Sequence, residues 1–102
     1  MRYEWDEGKN RENRRKHGIG FEVAALVFED ENRLILLDRV DEAGEQRWHA
    51  LGAVSIERGT AMVVLVAHVY REERNGEEII RIISARRASK NDVKRYQEQE
   101  VD

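Results

Sequence analysis

The sequence predicts an α+β domain: an antiparallel β-meander with two helices before it and one after. Three observations carry this. Four strand-like runs lie between residues 33 and 87, short polar turns separate them, and a capped helical segment stands on either side. A length of 102 residues fits one domain, 1–102, with no room for a second core.

Tyr3 and Trp5 alternate with charged residues, as in a short edge strand. Asp6 is an N-cap, Glu7 complements the helix N-terminus and Gly18 is a C-terminal stop, so a first helix spans the residues between. From Lys9 to His17 it holds no apolar residue, and an apolar packing face cannot account for it. Phe21, Ala24, Ala25 and Phe28 recur at helical spacing and predict a second short helix from Phe21 to Phe28. Strands follow at Arg33–Val40 and Gln46–Val54, then at Ala61–Tyr70, the most apolar stretch and the expected central strand. Asn75-Gly76 is a strong hairpin signal and leads into a strand at Ile79–Arg87. Ser89, with Asp92 three residues on, caps a last helix that runs to about Glu100, with Val93 and Tyr96 as its packing face. Short connections make the meander antiparallel and put the helices on one face.

Without Cys there is no disulfide, thiol nucleophile or Cys-based zinc site, and the three histidines and scattered acids show no metal-ligand spacing. The longest apolar run, Ala61 to Ala67, is too short to span a bilayer. Met1-Arg-Tyr-Glu-Trp5 lacks the apolar stretch of a signal peptide. A cytoplasmic protein without a cofactor or a membrane partner is the expectation. The net charge of −3 is unevenly laid out. Residues 1–20 carry six Lys/Arg against four Asp/Glu, residues 21–78 six against thirteen, and residues 79–96 six against Asp92 alone. Uniform acidity argues against nucleic acid, because phosphate neutralisation drives that binding; two basic segments that converge keep it open.

Several segments together resemble the BrnT family. They are Trp5-Asp6, Lys9 with Asn13, Lys16-His17-Gly18, Phe21, Ala24/Ala25, Val27-Phe28-Glu29-Asp30, Glu45 with Arg47, Leu51-Gly52, His68, Arg81-Ile-Ile-Ser-Ala-Arg-Arg-Ala88 and Tyr96. The resemblance covers nearly the whole chain. It implies the toxin half of a bacterial type II toxin–antitoxin pair with a RelE-like fold, cleaving RNA and so arresting translation. It also implies neutralisation by a BrnA-like antitoxin, in a 2:2 complex, whose DNA-binding domain carries the pair to operator DNA.

RNA supplies its own nucleophile, the 2′-hydroxyl, so an enzyme needs a base, an acid for the leaving 5′-oxygen, and cations for the phosphoryl oxygens. A metal-independent route leaving a 2′,3′-cyclic phosphate is expected. His68 is the first acid/base candidate, interrupting the face Met62, Val64, Val66, His68, Tyr70; the alternative is a histidine satisfied by one hydrogen bond, and Tyr70 can share its role. Lys16 and His17 are a transition-state cation and a second acid/base group, or they neutralise a helix C-terminus. Lys9, Asn13, Lys16 and His17 form one polar stripe suited to phosphate or to an acidic partner.

On the last strand, alternation puts Ser84 and Arg86 on the face of Ile80 and Ile82, and Arg81 and Arg87 on the other with Ile83. Each of these arginines is an RNA contact or a snorkelling surface residue, with Arg86 the favoured phosphate clamp. Arg47 and Glu45 are an ion pair, or a cation and a base flanking one phosphate. Trp48 and His49 stack on bases, or Trp48 packs in the core. Two other readings stay open: a catalytically weak antitoxin partner that acts in operon repression, which the acidic net charge favours, and a small interaction domain with the polar first helix as its contact surface.

Overall fold

The computed structural model describes residues 1–99; the expected end of the last helix at Glu100 lies outside them. The elements run β1 (Arg2–Glu4), α1 (Glu7–His17), α2 (Phe21–Ala24) continued by a 3₁₀ helix (Ala25–Glu29), β2 (Leu34–Val40), β3 (Gln46–Glu57), β4 (Thr60–Glu72), β5 (Glu78–Arg87) and α3 (Lys90–Glu98). The five strands form one sheet in the order β1-β5-β4-β3-β2, with β4 central as its apolar sequence predicts. The β2–β5 meander is antiparallel, but β1 pairs parallel to β5, which makes the sheet mixed.

α1 begins at Asp6, whose carboxylate accepts from Lys9 N at 2.9 Å. It ends at Gly18, which takes φ 70° and donates its N–H to Arg14 O at 2.8 Å, the left-handed stop that glycine accepts without strain. Its polar inner face is held by two buried asparagines, Asn10 and Asn13. Asn10 Oδ1 accepts from Phe21 N at 2.8 Å, and Asn13 bonds to Ile19 O and to both backbone groups of Ala85. Asn13 is therefore a structural residue rather than part of a ligand stripe.

The second helix is shorter than its periodicity predicts, because the chain tightens to 3₁₀ geometry at Ala25. Three residues per turn then line Ala24 up with Val27, and Phe21, Ala24, Val27 and Phe28 are all buried. They cover one face of the sheet, built from Ala50, Val54, Val64, Val66, Ile80, Ile82 and Ala85. Gly52 lies on this face because only a residue without a Cβ fits there: a Cβ would stand 2.8 Å from both Val27 Cγ1 and Val27 O.

Two sequence expectations are corrected here. The β4–β5 register shifts between Ala67, which pairs with Ser84, and His68, which pairs with Ile82, so Ile83 is an inserted bulge residue. A bulge reverses the alternation beyond it. Ser84 and Arg86 therefore share the face of Arg81, opposite Ile80 and Ile82, while Arg87, paired with Val64, returns to the covered side. The helices also do not all lie on one face. Arg86, from this second face, donates to Asp92 of α3 at 3.0 Å, and α3 is held at its other end by the Tyr96 hydroxyl donating to Asp30.

Candidate functional site

Register assigns the second face residue by residue. His49 and Ser84 both pair with Ala67, so they stand level on β3 and β5, about 10 Å apart across β4. Arg39 pairs with Arg47, and Arg81 pairs with Val69, on the same side. Arg86 pairs with Leu65 one row further along. The second face thus brings together Arg47, Arg81, Ser84 and Arg86 of the expected site residues, and it adds Arg39 and His49.

α1 supplies the rim. Lys9, Glu12, Asn13, Lys16 and His17 meet Ile83 and Ser84 around a depression of about 210 Å³. Lys16 Nζ lies 3.8 Å from Glu12 and is otherwise exposed. The basic last turn of α1, Arg14 to His17, also offsets the helix C-terminus.

The cations differ in what already holds them. Arg81 Nη1 donates to Glu4 at 2.9 Å and Arg86 to Asp92 at 3.0 Å. Asp92 also accepts from Ser89 N, while Ser89 Oγ accepts from Asp92 N, which completes the expected capping box. Burial pushes the Asp92 carboxyl up, but the bonds from Ser89 and Arg86 outweigh it and hold the group below the usual carboxylate range. Arg39 and Arg47 have no acidic partner among the described residues, although like charges placed directly opposite on a sheet repel. Beside them, His49 Nε2 lies 3.6 Å from Asp38 Oδ2, and both side chains are about one-third exposed, at 30% and 33%. Asp38 reaches this position because a register shift falls between Leu37 and Arg39.

His68, Tyr70, Glu45 and Arg87 do not join this group. His68 is fully buried on the covered face, between Phe28 at 4.9 Å and Tyr70 at 5.0 Å, both edge-on. Its Nδ1 donates to Val66 O at 3.3 Å, and its Nε2 has no partner among the described residues. Burial lowers its pKa to about 4, against the weaker opposing pull of the Val66 carbonyl. Such an imidazole stays neutral at pH 7 and touches no solvent. Tyr70 and Glu45 line a depression on the covered side with Trp48, and Glu45 makes no ion pair with Arg47. Trp48 is half-buried against Tyr70, its ring 6.0 Å away.

From the sequence, His49 is expected only to stack on bases. The available signal was its place beside Trp48: if Trp48 faces the core, His49 faces away. Its pairing with Asp38 had no signal, because the shift in β2 depends on contacts with β3.

Among the described residues no three His, Asp or Glu side chains are grouped to hold a metal ion, and no helix is long and apolar enough to cross a membrane. A search of curated proteins finds no match. Residues 5–92 match the family model described as the ribonuclease toxin, BrnT, of type II toxin-antitoxin systems, and the chain belongs to that family.

Proposed function

We propose that the second face holds single-stranded RNA and cuts it by attack of its own 2′-hydroxyl, in a RelE-like toxin that arrests translation in the cytoplasm. The observation that supports this most is the register that gathers Arg47, His49, Arg81, Ser84 and Arg86 on one surface, with Lys9, Lys16 and His17 at its rim. Arg39 and Arg47, which have no acidic partner among the described residues, are the natural first contacts for phosphate, since guanidinium forks match phosphoryl oxygens.

In this reading the His49 imidazole takes the 2′-hydroxyl proton, and Asp38 orients the ring and stabilises the imidazolium. The 2′-oxygen bonds to phosphorus, and the bond from phosphorus to the 5′-oxygen breaks. The leaving oxygen takes its proton from His17. Lys16, Arg47 and Arg86 stabilise the charge that builds on the phosphoryl oxygens. The products are a 2′,3′-cyclic phosphate and a 5′-hydroxyl. No residue needs a metal for this sequence of bonds. His68 acts in this reading through packing, and Tyr70, Glu45 and Arg87 lie outside it.

A second reading has one observation in its favour. Arg81 and Arg86 are already engaged by Glu4 and Asp92, which weakens their hold on phosphate and suits a chain acting mainly as an antitoxin partner in operon repression.

Incubating the purified chain with RNA in excess EDTA separates the two. Persistent cleavage with cyclic-phosphate ends, lost about 10²-fold or more in folded His49→Asn protein, is expected from the first reading. An inert wild type, on free RNA and on ribosomes, leaves the second.

A further inference from the structure

The covered face extends past the helices that cover it. Leu37 pairs with Trp48, Val40 with Gln46 and Tyr70 with Ile80, so their side chains project from the side of the buried Val66 and Ile82. Leu37 is 49% exposed, Val40 53% and Tyr70 38%. Trp48 and Tyr70 wall one side of a depression of about 520 Å³ that ends at the turn between β2 and β3. On the other side of Tyr70 lies a smaller one of about 210 Å³, floored by Phe28, Ile35 and Ile80. Contiguous apolar surface of this kind marks an interaction site.

The rim states the occupant's chemistry. Between Val40 and Gln46 stand Asp41, Glu42 and Glu45 and no cation. The β4–β5 end adds Glu72, Glu73, Glu77 and Glu78 against Arg71 and Arg74. Arg2 engages Glu73 and Glu77, and Arg71 turns back to Glu4. Glu45, on the larger depression, and Glu78, on the smaller, have no ion pair among the described residues; the larger depression is lined by no cation, and the smaller by Arg33 and Met1, the N-terminal residue. Burial first, and then the Glu78 charge, raise the Tyr70 phenol pKa against the opposing pull of Arg33. RNA is repelled by this rim; a cationic, apolar polypeptide complements it.

We propose that this acid-rimmed aromatic face is the docking site of the antitoxin, through a segment that carries a large apolar side chain between Lys or Arg residues. The apolar side chain enters beside Trp48 and Tyr70, and the flanking cations meet Glu45 and Glu78. The inference rests on the family's being one half of a toxin–antitoxin pair, not on the RNA-cleavage reading. Because the segment sits on the opposite side of the sheet from Arg47 and His49, it holds the toxin without itself filling the RNA face.

Two synthetic peptides test the chemistry: one alternating Lys with Leu and Phe, and its counterpart with Glu for Lys. Titrated into isotope-labelled full-length chain, the Lys peptide is expected to shift the NMR signals of Leu37, Val40, Trp48 and Tyr70, and not those of His49 or Ser84. The Glu peptide is expected to do neither. A folded Leu37→Ser/Val40→Ser double variant should bind the Lys peptide at least tenfold more weakly. It should also lose the complex with co-expressed cognate antitoxin on gel filtration while retaining wild-type cleavage of RNA. Equal binding of both peptides, shifts confined to the second face, an antitoxin complex that survives the double substitution, or closure of this face by a second copy of the chain each overturns the proposal. If wild type does not cleave RNA, the peptide and antitoxin-complex readouts still decide the proposal, so failure of the RNA reading is separately visible.

Discussion

Asn13 on α1 binds Ala85 on β5 as a neighbouring strand does, donating from Nδ2 to Ala85 O at 2.8 Å and accepting at Oδ1 from Ala85 N at 3.1 Å. β1 pairs with β5 only from Ile79 to Arg81, so the edge of β5 is otherwise open where the second face begins. One side chain closes it and fixes α1, with Lys16 and His17, against Ser84. Asn13→Ala strands the Ala85 N–H and C=O together with the Ile19 carbonyl, and it should cost about 2–4 kcal/mol in urea unfolding. A loss below about 0.5 kcal/mol, the size of an ordinary surface substitution, rules out the edge-closing role.

Gly52 is a second point where one position governs the packing of a helix. A methyl group there meets Val27 side chain and backbone at once, and backbone yields little. Gly52→Ala should destabilise the protein by about 1–3 kcal/mol through overpacking and loosen the 3₁₀ helix. Hydrogen exchange should show it as faster exchange at Val27 to Asp30 than elsewhere; uniform exchange argues against it.

These two residues also show what the sequence makes legible. Caps, turns and apolar runs are local, and Asp6, Gly18, Ser89 with Asp92 and the central strand β4 all stand as the sequence predicts. Non-local geometry is what escapes. Nothing near Tyr3 names β5 as its parallel partner, and nothing near Ile83 marks a bulge, yet that bulge moves Ser84 and Arg86 to the other face. The polar helix α1 looks unpackable because its core contacts are amides, Asn10 and Asn13, which bond to backbone rather than exclude water. The family motif picks out Lys16, Arg47, Gly52 and Arg86 as residues but not the faces they occupy.

His68 makes stability depend on pH. Its folded pKa of about 4 lies below its ordinary 6.5, so the unfolded chain binds the proton first as pH falls. Its contribution is whole above about pH 6.5 and is lost between there and about pH 4, at most about 3 kcal/mol. The Asp30 and Asp92 carboxyls, held below their ordinary values despite burial, add their loss at still lower pH. His68→Leu should flatten the upper part of this profile and leave the protein at least as stable as wild type at pH 5, because Nε2 has no bond to lose and the one given up, from Nδ1 to Val66 O, is long at 3.3 Å. An NMR titration placing His68 near 6.5 contradicts this.

The pair Arg39 and Arg47 should carry the salt dependence of RNA binding. Each phosphate contact on a single strand adds about 0.7 to the slope of log affinity against log salt. Arg47→Gln should lower that slope by about this amount and weaken binding of all sequences alike, as should Arg39→Gln. Arg74→Gln, in the β4–β5 turn, should change neither. Equal slopes in all the proteins place RNA elsewhere.

Cleavage itself should depend on His49 more than on any other histidine. The imidazole is one-third exposed, stands level with Ser84 across Ala67, and faces the Asp38 carboxylate at 3.6 Å, whereas His68 has no surface at all. General-base transfer contributes about 10²–10⁴ to such reactions, so His49→Ala should lower kcat by at least 10²-fold with little change in RNA affinity. Asp38→Asn removes the charge that steadies the imidazolium and should cost about tenfold. A purely structural histidine gives the same first result if its loss distorts the face, and added imidazole separates the two. Imidazole should restore part of the activity of His49→Ala and nothing in Arg47→Gln, since a missing base can be supplied from solution and a missing phosphate contact cannot. If imidazole leaves His49→Ala unchanged while His17→Ala responds, the base is His17 and the roles along the α1 rim reverse.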